Sequence, residues 1–88
     1  MKKLWRTLVF WLDRKNGEPS RKEARWATLY SYVMTSRTAA VVDDYALGFH
    51  LNAIANKHKL TRERVRQMIL KGIRQAHGWE AYESIANY

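Results

Sequence analysis

Eighty-eight residues allow one domain with a modest core. Hydrophobic content of 47% beside 27% charged residues is globular, and the absence of cysteine excludes disulfides and thiolate metal sites. Sixteen Lys and Arg against eight Asp and Glu leave a net charge of +8, a field that favours polyanions such as nucleic acid or an anionic membrane face.

Lys2 and Lys3 precede an apolar run, but Arg6 interrupts it and Asp13-Arg14-Lys15 closes it. No small-residue cleavage site follows, and no stretch approaches the ~18–20 apolar residues of a membrane span, so the expected compartment is the cytoplasm. Lys2 to Lys15 reads as a helix with Leu4, Trp5, Leu8, Val9, Trp11 and Leu12 over a wide apolar arc. One reading is a core helix. Others are a protein-binding surface formed by Trp5, Phe10 or Trp11, and a basic helix lying on a membrane.

Asn16-Gly17-Glu18-Pro19 is a turn. Ser20-Arg21-Lys22-Glu23 has the form of a capping box and opens a helix expected to run to about Met34, with Ala24, Ala27, Tyr30 and Val33–Met34 inward. Trp26 and Tyr32 lie off that stripe. Arg21, Lys22 and Arg25 form a basic face, either simply solvated or in contact with phosphate. After Thr35-Ser36-Arg37-Thr38, a third helix is expected over Thr38–Leu47, with Ala39, Val42, Tyr45 and Ala46 inward and Gly48 just past its end. Asp43 and Asp44 are adjacent carboxylates pointing about 100° apart with no third ligand nearby. They are expected to face solvent.

Leu51, Ile54 and Ala55 mark a short amphipathic helix that breaks at His58-Lys59-Leu60. Thr61 is a good N-cap, and Glu63 places a negative charge in the first turn that follows. Val65, Met68, Ile69, Ile73 and Ala76 fall on one side of the next helix. Arg62, Glu63, Arg66, Gln67, Lys71 and Arg74 are assigned to the opposite arc. A short helix, a turn and a longer helix with a basic outer face make a helix-turn-helix.

The run LTRERVRQM, preceded by LNAIANKHK, resembles the helix-turn-helix of bacterial housekeeping sigma factors, in the fourth conserved region that grips the minus-35 promoter element. The match is close from Thr61 to Gln67 and stays in register back to Leu51 and forward to Arg74. The resemblance implies that Arg62 reads a base edge or the adjoining phosphate and that Glu63 accepts from a cytosine amino group. It further implies that Arg66 and Gln67 contact base edges and backbone in the major groove. Those side chains suit such roles, since Arg is bidentate to guanine and Glu accepts from cytosine N4. Arg64 projects to the flank, towards phosphate or a neighbouring helix. Lys57, Lys59, Lys71 and Arg74 would add phosphate contacts, which are salt-sensitive and blind to sequence.

This chain departs from the family at His58 and Lys59, where an apolar residue and a Gly or Asp are usual. Lys in a position that calls for positive φ costs about 1 kcal/mol relative to Gly. His50 stands where the family has an N-cap Ser or Thr. Ile69 and Leu70 make the recognition helix greasier than its relatives, which suggests a covered flank. His77-Gly78 is expected to end that helix. Trp79, Tyr82 and Ile85 then recur three apart in a tail that either caps the core or forms an exposed aromatic patch. His50, His58 and His77 lack the spacing of a metal site. With no nucleophile–base pair and no Gly-rich phosphate loop, neither enzymatic activity nor a cofactor or metal is expected.

The expected fold is all-α, with four or five helices around one core. The single domain 1–88 is divided into an N-terminal helical pair (1–37), a sigma-like helix-turn-helix (38–77) and an aromatic tail (78–88). The expected function is a small DNA-binding transcription regulator acting on double-stranded DNA at promoters with RNA polymerase and associated with the nucleoid. It is either a regulator from a phage or mobile element or a separately encoded piece acting with the polymerase. Nothing in the 88 residues corresponds to the sigma domain that melts the minus-10 region. An alternative is an RNA polymerase-binding protein that contacts the enzyme through Trp5, Trp11 and Trp79. A homodimer pairing two recognition helices through the first helix or Ile69–Leu70 is a third.

Overall fold

The computed structural model describes residues 17–86, so the expectations placed on Lys2–Lys15, including Trp5, Phe10 and Trp11, lie outside the described residues. The fold is all-α. Helices α1 (Arg21–Ala27), α2 (Ser36–Ala46), α3 (Leu51–His58) and α4 (Arg62–Ala86) are joined by short connections, and a 3-10 segment (Thr28–Val33) follows α1 directly. Among the described residues no helix is long and apolar enough to cross a membrane.

Ser20 caps α1 by accepting from the Glu23 backbone N–H at 3.3 Å. The α-helix does not run to Met34 as the sequence suggests; it tightens into the 3-10 segment after Ala27, with Tyr30 outside helical φ/ψ. Thr28, Tyr30, Tyr32 and Val33 are β-branched or aromatic residues that lose χ1 freedom in an α-helix. The Thr28 hydroxyl also donates back to the Arg25 carbonyl at 2.6 Å. Three residues per turn then eclipses i and i+3, which leaves Leu29 and Tyr32 exposed together.

Thr35 caps α2 by accepting from the Thr38 N–H at 3.2 Å, so the helix starts at Ser36, earlier than expected. At its other end Gly48 adopts φ +111. Gly48 N–H donates to Tyr45 O, and Phe49 N–H to Asp44 O, the paired bonds of a Schellman motif. Arg21 reinforces this end. Its Nη1 donates to the carbonyls of Tyr45 (2.7 Å) and Phe49 (3.0 Å), and its guanidinium lies 4.1 Å from the Tyr45 ring centroid. Arg21 is therefore tied to the end of α2 and is not simply part of a solvated face.

The core is built by Ala24, Ala27, Val41, Val42, Tyr45, Leu51, Ile54, Val65, Ile69, Ile73 and Ala76, with Met34 and Met68 beside them. Gly72 sits where α4 crosses α2: a Cβ there would lie 2.8 Å from Val42 Cγ2 and 3.2 Å from Met34 Sδ. The absence of a side chain permits this close approach.

α4 continues through His77 and Gly78 to Ala86, against the expectation that it ends there. Gly78 is not among the positive-φ residues. The Trp79 ring stacks on Tyr82 (centroids 5.1 Å apart) and meets the Tyr32 edge at 6.3 Å. Those contacts offset the roughly 1 kcal/mol that an interior glycine costs a helix. The aromatic tail is thus the last part of α4 and no separate segment.

Candidate nucleic-acid interface

The turn of the helix-turn-helix is made by a second Schellman motif. Lys59 adopts the left-handed conformation (φ 57, ψ 46), its N–H approaches Asn56 O, and Leu60 N–H donates to Ala55 O at 2.8 Å. Leu60 packs against the core, which fixes the exit direction of the chain. Thr61 then accepts from the Arg64 N–H at 3.1 Å and opens α4. His50 precedes α3 with no side-chain cap.

Beneath this turn lies a buried carboxylate. Asp44, expected to face solvent, is 8% exposed. Its Oδ1 accepts from Lys57 Nζ at 3.1 Å and its Oδ2 lies 2.9 Å from His58 Nε2. An ionised carboxylate can only accept, so Nε2 carries the proton. Burial alone would raise the Asp44 pKa, but the hydrogen bonds and charges of His58 and Lys57 outweigh it and hold the carboxyl below its ordinary value. The partners come from α3, distant in sequence, which is why the adjacent pair Asp43-Asp44 gave no hint of them. Lys57 and His58 are committed to this cluster. Lys59 stays exposed.

No protein-family model matches this chain, and neither a curated protein nor a solved structure is found similar to it.

At 100° per residue, Glu63, Gln67, Lys71 and Arg74 fall within about 80° of one another on α4, with Arg64 at the flank. All five are exposed. Arg64, Gln67, Lys71 and Arg74 form no side-chain hydrogen bond or ion pair among the described residues. They face outward as the sequence suggests.

Arg62 and Arg66 do not share that arc. They lie at its edge, turned towards the Gly17–Glu18 turn. Arg62 Nη2 donates to Glu18 Oε1 at 3.0 Å. Arg66 Nε donates to the Gly17 carbonyl at 3.0 Å and its Nη1 to Glu63 Oε1 at 2.7 Å. Helical spacing gave the angle of each residue but could not reveal that the turn before α1 folds against this edge. In this arrangement Arg66 orients the Glu63 carboxylate.

Ile69 is fully buried in the core and Leu70 packs against it, so these two residues do not form an exposed pairing surface. The covered flank that their greasiness suggested is the core itself. Trp79 is half-buried, with exposed Tyr32 and Tyr82 against it, and Ile85 is exposed further along the helix.

Proposed function

We propose that this chain is a small helix-turn-helix transcription regulator that lays the first half of α4 in the major groove of double-stranded DNA. The observation that carries the reading is the outward row of Glu63, Gln67, Lys71 and Arg74, presented on a helix whose entry is fixed by the left-handed turn at Lys59 and the Thr61 cap. Glu63 would accept from a cytosine amino group and Gln67 would read a base edge, while Lys59, Arg64, Lys71 and Arg74 would meet phosphates. The likeness of Thr61–Gln67 to the sigma-factor motif makes a minus-35 element the first target to try, and action at promoters beside RNA polymerase follows from the same likeness. Such a protein would reside on the nucleoid.

The test is binding to a duplex bearing TTGACA and to a scrambled duplex, across a salt series. A preference of about ten-fold, equal to roughly 1.4 kcal/mol, that disappears in Glu63→Ala is the expected result. Equal, steeply salt-dependent binding to both duplexes would overturn base readout of this element.

A second reading draws on the other end of α4. Tyr32 and Tyr82 are exposed beside Trp79, as aromatic anchors are before a partner covers them. RNA polymerase is the partner this reading would name, and Tyr82→Ala would weaken its capture without altering DNA affinity.

A further inference from the structure

We propose that Glu18 competes with DNA phosphate for Arg62, so that the Gly17–Glu18 turn sets how tightly the recognition helix holds DNA. The proposal rests on the DNA-binding reading above and names a control built into the same site.

Glu18 is held in place from both sides by its backbone neighbours. On one side the Gly17 carbonyl accepts from Arg66 Nε, in a turn where Gly17 takes φ +66. On the other, Pro19 is fully buried and its carbonyl accepts the Tyr45 hydroxyl at 2.6 Å. Between these anchors the Glu18 carboxylate meets Arg62 at 3.0 Å, and its side chain is 27% exposed against 50% for Arg62. Arg62 is the first residue of α4, where the helix dipole also favours an anion. A carboxylate held there offers Arg62 the same kind of oxygen acceptor that a backbone phosphate would offer.

DNA approaching the start of α4 therefore meets an arginine already neutralised. Either the phosphate displaces Glu18, leaving that carboxylate unpaired beside a polyanion, or Arg62 contributes no phosphate contact. Both routes weaken binding without regard to sequence. Glu63 is the other acid on this edge, and it is turned towards Arg66, not Arg62.

The experiment titrates the TTGACA duplex and its scrambled counterpart with the full chain, as wild type, Glu18→Gln, Arg62→Ala and the double variant. Asp43→Asn, which removes one exposed carboxylate on α2, serves as the charge-matched control. Glu18→Gln is expected to tighten both duplexes by about three- to ten-fold. It should also steepen the slope of log K against log salt by about 0.9, the value of one added phosphate contact. Asp43→Asn should leave that slope unchanged, and the slope change of Glu18→Gln should vanish once Arg62 is alanine, leaving only a smaller gain from the lost carboxylate. If Glu18→Gln behaves like Asp43→Asn, or keeps its slope change without Arg62, the proposal is overturned and the DNA-binding reading stands. If neither wild type nor Glu18→Gln binds either duplex, both fall.

Discussion

Residues 62–76 and residues 77–86 belong to one continuous helix that meets the rest of the molecule in two different ways. The first stretch buries Val65, Met68, Ile69, Gly72, Ile73 and Ala76 against α2 and α3, and its outer face is basic. The second buries no residue fully; its partners include the rings of Tyr32 and Trp26 and the Glu23 carboxylate, 3.5 Å from His77 Nε2, and its acids are Glu80 and Glu83. Tyr30, facing that end, has its hydroxyl pKa raised by burial and then by those two carboxylates. The contrast is between a half fixed by close packing and caps and a half fixed by ring contacts at the surface. Close packing of the first fixes the direction of its outward row, Glu63, Gln67, Lys71 and Arg74. The second has apolar area left over for something else to cover.

The largest effect that separates the halves should come from truncating one isoleucine in each. Ile69 is fully buried and Ile85 is 76% exposed. Ile69→Ala should cost about 2–5 kcal/mol through lost burial and a residual cavity. Ile85→Ala should stay within about 0.5 kcal/mol. Urea midpoints at matched m-values would measure both, and a comparable loss at Ile85 would mean that the far half is packed as tightly as the near one.

Asp44→Asn should come next, at about 1–3 kcal/mol, because it removes charge-assisted bonds from Lys57 and His58 at a buried group. The sign of its pH dependence follows from the depressed pKa. Stability from the ionised carboxylate is present above the unfolded value, about pH 4, and is lost as the pH falls through the folded value. Wild type and Asp44→Asn should therefore differ most near neutrality and converge in acid. A gap of constant size down to pH 2 would refute the assignment.

These two residues also mark how far the sequence could be read. The 3.6-residue spacing of Val65, Ile69, Ile73 and Ala76 placed the core face of α4, and Thr61, Lys59 and Gly48 marked the caps and turns, because each of those signals is local. Asp44 was misplaced because its partners come from another helix. Arg62 and Arg66 were grouped with the outer row although 100° per residue already sets them about 100° and 60° to the other side of Glu63. Their partners Glu18 and Gly17 reach them only through the fold. Gly78 misled for a different reason: a glycine signals a helix end only when nothing beyond it stabilises continuation, and the Trp79–Tyr82–Tyr32 contacts are tertiary.

The near half is expected to resist a change that helix propensity alone would favour. Gly72→Ala improves propensity by about 1 kcal/mol, but the new Cβ would lie 2.8 Å from a methyl of buried, β-branched Val42. Overpacking of this kind costs about 1–3 kcal/mol, so the net effect should be destabilising. Coupling to Val42→Ala checks the cause: the double variant should recover part of the loss beyond additivity. No recovery would place the strain elsewhere.

Gly78→Ala gives the smallest effect and the opposite sign. A Cβ at Gly78 meets nothing within 4 Å, and the residue is exposed inside a continuous helix. Alanine should therefore stabilise by about 0.5–1 kcal/mol, through propensity and reduced freedom of the unfolded chain. Had α4 stopped at His77 with Gly78 left-handed, the same substitution would be destabilising, because alanine pays for positive φ. The direction of the shift in urea midpoint thus reports whether the aromatic end is a true continuation of the first half of α4. A rigid continuation would tie anything bound at Tyr82 and Ile85 to the orientation of Glu63 and Gln67, along one unbroken backbone.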